Sequence, residues 1–184
     1  MEAKTTNQRL QELLPQLFKQ ERTLGERYLL FELTSELTAA ISLNQVWEVM
    51  TLPARAITPI PLMPSWIIGW SNGRDRVFSI LSLSELLGLA EDRKLPQEHR
   101  VIVVQTSPKE RSELTQQSLL LGITVNAILR TVSISGEEIV SLFDEFPSPL
   151  TPYLSGCIYR EDQQIAILDL SRIIQEITSN HQLK

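Results

Sequence analysis

The strongest constraint on the fold of this chain is an internal repeat. Residues 41–52 (ISLNQVWEVMTL) return 82 positions later as residues 123–134 (ITVNAILRTVSI), and eight of the twelve matched positions carry the same residue or a close substitute. A proline pattern follows in the same order in both copies, PIPLMP at 59–64 and PSPLTP at 147–152. Ordered matches of this kind indicate one structural unit that is written twice.

The repeated unit begins with predicted strands. Each copy opens on a short apolar run, YLLF at 28–31 and VIVV at 101–104, which predicts a short apolar strand. The repeated segment follows as a second strand. Its asparagine, Asn44 in one copy and Asn126 in the other, suits a bend into a third strand.

The last part of each copy predicts a hairpin and a helix. In the first copy, Asn72 and Gly73 are predicted to form the hairpin tip, because both residues tolerate the positive φ of a tight turn. Residues 159–163 are the predicted tip of the second copy. Ser82 and Asp169 are predicted to cap the helix that closes each copy, and the glutamate three positions after Ser82 adds a capping box.

Two units of about five strands each would expose sheet edges that favour aggregation unless the sheets close. Curling into small barrels removes those edges, and exchange of strands between the copies would hold the barrels together. We therefore predict a mainly β fold of two intertwined five-stranded barrels with short helices. The predicted domain spans residues 27–177, with approximate repeats at 27–98 and 99–177, between an N-terminal helical extension (1–26) and a C-terminal tail (178–184).

The composition argues against several classes of function. A formal net charge of -5 disfavours a dedicated nucleic-acid binder, which needs clustered lysine and arginine. The 184 residues include one cysteine and two histidines, too few for a multi-cysteine metal site or a Ser/His/Asp catalytic set. We therefore predict a protein that is not an enzyme and needs no cofactor or metal.

The chain also lacks the signals of a membrane or secreted protein. No apolar run approaches the roughly 20 residues of a membrane span. The first residues have no apolar core of a signal peptide. Both features favour a cytoplasmic protein without direct membrane insertion.

An apolar stripe in the N-terminal extension is a possible docking segment. Its spacing places the members on one face of a helix, although Pro15 interrupts that helix. The segment folds either onto its own domain or onto a partner. The stripe consists of Leu10, Leu13, Leu14, Leu17 and Phe18.

Charged residues at the predicted first tip are candidates for recognition. Arg74, Asp75 and Arg76 are either routine surface charges or a recognition tip. In the second case, Arg74 would engage a carboxylate or a backbone carbonyl of a partner.

The tryptophans and the cysteine are interpreted mainly as structural residues. Trp47, Trp66 and Trp70 are predicted to pack in the core or between the barrels. Trp47 is the exception that we single out, because it adjoins Glu48 on a strand whose two faces can both be used. Cys157 is predicted to be a buried, inert thiol within a strand.

Several segments, taken with the duplicated β unit, resemble the CheW-type adaptors of bacterial chemosensory systems over roughly residues 27–177. The segments are QVWEV at 45–49, GWSNGR at 69–74, the strand and helix start at 76–83, LGITV at 121–125, YLSG at 153–156 and ILDL within 165–170. The N-terminal run LQELLPQLF at 10–18 also resembles the pilus-dependent phototaxis adaptors of cyanobacteria (PixI-like).

The resemblance implies two intertwined five-stranded barrels and a function in binding, without catalysis. Members of that family bridge a CheA-type histidine kinase, through its CheW-like regulatory domain, to the signalling tip of a chemoreceptor or photoreceptor. The resemblance therefore associates this protein with membrane receptor arrays through its partners. It also implies a coupling surface with Arg74 as polar anchor, Val46 as apolar contact and Glu48 as orienting charge. Trp47, Asn72 and Arg76 complete the predicted surface.

Two other functions stay open at this point. Small barrels also bind ligands or nucleic acids, which would predict salt-sensitive oligonucleotide binding in a basic, aromatic-lined groove. An enzyme that uses Cys157 would require rapid alkylation of that thiol at neutral pH.

Overall fold

The computed structural model describes residues 25–73, 76–89, 96–105, 120–160 and 163–181. Within these ranges the chain forms ten β-strands and two α-helices. The elements are β1 (Glu26–Glu32), β2 (Thr38–Ser42), β3 (Val46–Pro53), β4 (Ile67–Gly73), β5 (Arg76–Ser82), α1 (Leu83–Leu86), β6 (Glu98–Gln105), β7 (Leu120–Val125), β8 (Ala127–Ile134), β9 (Leu154–Arg160), β10 (Gln163–Leu168) and α2 (Leu170–His181).

The strands form two five-stranded sheets, and each sheet takes strands from both copies of the repeat. The sheet that we call barrel 1 has the order β3-β6-β7-β5-β4, and barrel 2 has the order β8-β1-β2-β10-β9. Each strand of barrel 1 has a counterpart five strands away along the chain, and that counterpart holds the same place in barrel 2. The fold therefore follows the duplication of the sequence, and the predicted pair of intertwined five-stranded barrels is confirmed.

Each sheet contains two junctions between the copies, one antiparallel and one parallel. In barrel 2, β1 pairs with β8 antiparallel and β2 pairs with β10 parallel. In barrel 1, β3 pairs with β6 antiparallel and β5 pairs with β7 parallel. Neither barrel can be completed by one copy.

Each barrel is closed by a short backbone bridge. The bridge joins the segment after the third strand of a copy, β3 or β8, to the next strand along the chain. Thr58, which follows β3, exchanges backbone hydrogen bonds of 2.8 and 2.9 Å with Trp70 in β4. Val140, which follows β8, exchanges two bonds of 2.9 Å with Cys157 in β9. The two closures occupy matching positions of the repeat, and they satisfy backbone groups that would otherwise lie at an open edge.

A glycine lies at each closure because no side chain would fit there. A Cβ on Gly69 would lie 2.3 Å from the carbonyl oxygen of Thr58, and a Cβ on Gly156 would lie 2.3 Å from the Cγ2 atom of Ile139. Both glycines lie at a bulge in their strand. This close approach explains why a glycine recurs at the same place in both copies.

Apolar residues fill the two barrel interiors and a larger core between the barrels. In β1, Tyr28 and Leu30 face the interior of barrel 2, whereas Leu29 and Phe31 face the core between the barrels. The strand is therefore buried on both faces, which is why it appears in the sequence as a continuous apolar run.

The two helices differ in length and in their caps. In α2, the Oδ1 atom of Asp169 accepts hydrogen bonds from the backbone N–H groups of Ser171 (3.0 Å) and Arg172 (3.3 Å), which confirms the predicted cap. The capping box predicted at Ser82 is wrong, because α1 starts without a side-chain cap. The backbone N–H of Ser82, which a capping box would use, already donates to the carbonyl oxygen of Trp66 at 2.8 Å.

Both predicted hairpin tips are wrong in position. Asn72 pairs with Val77 and Gly73 pairs with Arg76, so both residues of the predicted Asn-Gly tip lie in β4. A Cβ on Gly73 would lie 3.1 Å from the Cε atom of Met50, a tight approach to the flexible end of that side chain. Residues 74 and 75, which link the strands, lie outside the described residues.

The predicted tip at 159–163 is too long. Arg160 pairs with Gln163, so Tyr159, Arg160 and Gln163 belong to β9 and β10. The N-terminal stripe at Leu10, Leu13, Leu14, Leu17 and Phe18 lies outside the described residues, and the boundaries of the extension and the tail stay predictions.

We expect Gly69→Ala to lower the free energy of unfolding by about 1–3 kcal/mol, because the added methyl group would overlap a backbone carbonyl at the closure of barrel 1. Urea denaturation followed by circular dichroism measures the change. The control is Gly136→Ala, where nothing lies within 4 Å of the added Cβ. Equal stability of the two variants would contradict this account of the closure.

Candidate functional site

Barrel 1 presents an exposed apolar face at the start of β3. The side chains of Trp47 and Val49 are each 42% exposed, whereas Met50 packs into the barrel interior. The pairing with β6 passes from Val46 directly to Glu48, so Trp47 is the extra residue of a β-bulge. The exposed residues of β3 still alternate regularly, so Trp47 lies on the same outer face as Val49 and Thr51.

A cation stacks on this indole. The guanidinium carbon of Arg76 lies 5.5 Å from the centroid of the Trp47 ring, a distance that permits a cation–π interaction. Arg76 belongs to β5, which is not a sheet neighbour of β3, so barrel curvature brings the two residues together. Beside Arg76, Val77 is 71% exposed and pairs with the exposed Asn72. We call Trp47, Val49, Asn72, Arg76 and Val77 the barrel 1 surface.

The structure distributes the predicted coupling residues unevenly. Trp47 and Arg76 are in contact, and Asn72 lies exposed on β4. Val46 and Glu48 are half-buried, and Val46 packs against the core between the barrels. Arg74 lies outside the described residues. The role of each residue in coupling stays a prediction.

The tryptophans are placed differently from the sequence prediction. Trp66 packs against the core between the barrels, as predicted. The prediction is wrong for Trp70, which is 51% exposed, whereas Trp47, the predicted exception, is 42% exposed. In β3, the alternation places Trp47 on the same outer face as Val49. In β4, Gly69 and Ser71 face inward, so the alternation of the strand places Trp70 outside.

Sequence reasoning missed Val49 and Val77. The signal for Val77 was available in the alternation of β5, because Phe78 and Ile80 face the barrel interior and their neighbour must face outward. The same alternation holds in β3, where Met50 and Leu52 pack against the barrel interior while Trp47 and Val49 face outward.

Barrel 2 has a different surface at the matching end. Leu129 and Gln163 occupy the repeat positions of Trp47 and Arg76. There the barrel has a cavity of about 320 Å³, lined by Leu30, Thr38, Leu129, Arg130, Arg160, Gln163 and Ile165. The same end of the two barrels has therefore diverged, from an exposed tryptophan–arginine pair to a cavity bordered by arginines.

One arginine of the cavity is held by a carboxylate. Arg160 donates to the Oε1 atom of Glu138 at 2.6 Å and to the carbonyl oxygen of Ser133 at 2.9 Å. The backbone N–H of Ser135 donates to the other oxygen of Glu138 at 2.7 Å. The hydrogen bond from Ser135, followed by Arg160, lowers the pKa of Glu138 below its usual range.

The single cysteine is buried as predicted. Its side chain is 0% exposed, and the Sγ atom lies 3.0 Å from the carbonyl oxygen of Leu142. The inertness of the Cys157 thiol stays a prediction. No group of three or more His, Cys, Asp or Glu residues among the described ranges could hold a metal ion. In the part of the chain that the structure describes, neither helix is long and apolar enough to cross a membrane.

The depressed pKa of Glu138 predicts a pH dependence. Because the folded state favours the carboxylate, its stabilisation is present above the usual titration range of glutamate and is lost as the pH falls through the lowered pKa. We expect Glu138→Gln to be less stable than the wild type at neutral pH, and this difference to vanish in acid. Urea denaturation at a series of pH values measures it, and a difference that persists in acid would contradict the assignment.

Comparisons with known proteins agree with this fold. The family model described as CheW-like domain matches residues 27–178. The "Chemotaxis protein CheW" of Thermotoga maritima is 26% identical over 130 residues, which cover 70% of this chain and 76% of that protein. The crystal structure of scaffolding protein TtCheW from Thermoanaerobacter tengcongensis has a TM-score of 0.63 to this fold at 21% identity, and the match covers 84% of this chain and 90% of that chain. The chain therefore belongs to the CheW-like domain family, a family of chemotaxis adaptors.

Proposed function

We propose that this protein is a non-enzymatic adaptor that couples a methyl-accepting-type receptor to a CheA-type histidine kinase in the cytoplasm. Chemotaxis or phototaxis is the process served, and the protein joins receptor arrays through its partners. The observation that carries the proposal is the exposed Trp47–Arg76 pair on a CheW-like barrel. Binding alone performs this function, so no catalytic residue is required.

The barrel 1 surface has the composition of a binding hot spot. Tryptophan and arginine are the residues that most often dominate interface energies, and truncating one at the centre of an interface costs roughly 2–4 kcal/mol. Trp47 projects from a bulge, and Arg76 is already stacked on its ring. Because the pair is ordered before binding, less conformational entropy is lost when a partner covers it.

We assign this surface to the signalling tip of the receptor. An α-helical hairpin presents apolar ridges flanked by charged side chains, and the barrel 1 surface offers the matching groups. Val49 and Val77 would cover apolar ridges, while Arg76 would pair with a carboxylate of the receptor. Glu48, half-buried beside Trp47, is the candidate for fixing orientation, and Arg74 stays the predicted anchor at the link between β4 and β5.

The alternative of a nucleic-acid-binding barrel has less support. The net charge is -5, and the family assignment favours an adaptor. The PixI-like subtype suggested by residues 10–18 stays a prediction, because that run lies outside the described residues.

We expect Trp47→Ala and Arg76→Ala to weaken binding to the full-length receptor by roughly ten- to a hundredfold, because each removes a solvent-exposed anchor. Binding is measured by co-sedimentation with receptor-containing membranes from the same organism. Both variants should fold, because Trp47 and Arg76 lie outside the core, and thermal melts check this.

The matched controls are Leu129→Ala and Gln163→Ala, which change the repeat-related positions on barrel 2 and should leave receptor binding unchanged. The assignment is wrong if all four variants weaken binding equally. It is also wrong if the Trp47 and Arg76 variants bind as the wild type does.

A further inference from the structure

Leu62 is an apolar side chain presented to solvent on a strained backbone. Its φ is +63°, and it is the one non-glycine residue with a positive φ in the described ranges. Its side chain is 99% exposed, more than that of any other large apolar residue that the structure describes. The left-handed region is unfavourable for a leucine, which lacks a short polar group to bond the backbone there.

The repeat shows what this leucine would otherwise do. Leu150 holds the matching position in the second proline pattern, with φ -82° and ψ -33°. Its side chain is 0% exposed and belongs to the core between the barrels. The same motif thus buries its leucine in one copy and projects it into solvent in the other.

The loop that carries Leu62 is fixed at both ends. Before it, Thr58 forms the closing bridge with Trp70. After it, the backbone N–H of Ile67 donates to the carbonyl oxygen of Pro64 at 3.0 Å. The three prolines of the pattern restrict the backbone between these points. The leucine is therefore held in position before any partner binds.

Within the monomer, the position favours a different residue. Asparagine or glycine would adopt this φ at less cost, and an exposed leucine gains no burial. We propose that Leu62 is an anchor residue that inserts into an apolar pocket of the CheW-like regulatory domain of the kinase. This inference rests on the proposed adaptor function, and it assigns the kinase to a surface other than the one assigned to the receptor.

The shape of the anchor favours a folded barrel as the partner. A single projecting leucine needs a concave pocket, whereas the tip of a helical hairpin is convex. Barrel 2 of this chain has one concave site of this kind. It measures about 320 Å³, and Leu30, Leu129 and Ile165 line it together with the polar side chains of Thr38, Arg130, Arg160 and Gln163.

A lipid surface is a poorer match for this loop. Residues 57–66 contain no lysine or arginine that would attract anionic lipids, and the whole chain carries a net charge of -5. One inserted leucine alone gives too little apolar burial for stable membrane attachment.

The test uses the full-length chain and the full-length CheA-type kinase of the same organism, with affinity measured by isothermal titration calorimetry. Leu62→Asn removes the apolar side chain and suits the left-handed backbone, so the variant should melt no lower than the wild type. We expect its affinity for the kinase to fall by roughly ten- to a hundredfold. Leu62→Met keeps an apolar side chain and should bind nearly as the wild type does.

The matched control is Leu142→Asn, which changes another exposed leucine, 56% exposed, on barrel 2. It should leave kinase affinity unchanged. Unchanged affinity of Leu62→Asn for the kinase would overturn the inference. The inference would also be overturned if the variant instead lost receptor binding, self-association in sedimentation, or binding to phosphatidylethanolamine–phosphatidylglycerol vesicles.

The two proposals fail separately. Suppose that substituting Leu62 leaves the affinity for the kinase unchanged, while receptor binding still depends on Trp47 and Arg76. That result overturns the role of Leu62 as an anchor and leaves the adaptor function standing. A wild-type chain that binds neither the kinase nor the receptor overturns both.

Discussion

The junctions between the two copies of the repeat are the constraint on which the rest of the structure depends. Each barrel takes three strands from one copy and two from the other, joined by one antiparallel and one parallel pairing. If the copies separated, each would keep a two-strand and a three-strand piece without closure, and an isolated two-strand piece is marginally stable at best. The core between the barrels would be exposed too, since residues of both barrels, such as Phe31 and Ile102, meet there.

This shared framework lets matching positions take different roles. The bulges that carry Trp47 and Leu129 are related by the repeat, yet one end presents an indole beneath a guanidinium and the other surrounds a cavity. The two proline patterns diverge in the same way, with Leu150 buried in the core and Leu62 in solvent. Because the junctions hold both barrels in place, one copy can supply stability while the other supplies binding groups. An adaptor needs such fixed, non-equivalent surfaces.

The sequence pattern predicted the strands along the chain, because burial on both faces leaves continuous apolar runs such as 28–31. The repeated motifs predicted the duplication. It could not place the hairpin tip, since Asn72 and Gly73 suit a turn locally while the pairing with β5 decides where the strand ends. It misplaced the capping box at Ser82 because a tertiary hydrogen bond uses that backbone N–H. The alternation of β3 puts Trp47 and Val49 on one face, but tertiary packing decides which face of the strand is covered. Tertiary packing also decides the contrast between Leu62 and Leu150.

Separating the two copies tests the central role of the junctions most directly. The polypeptides of residues 27–98 and 99–177 can be made individually and examined by circular dichroism and by the dispersion of amide signals in NMR spectra. Exchange of strands predicts that each polypeptide alone is unfolded and that an equimolar mixture recovers the β spectrum and a cooperative melt. A polypeptide that folds cooperatively alone as a monomer would contradict the account.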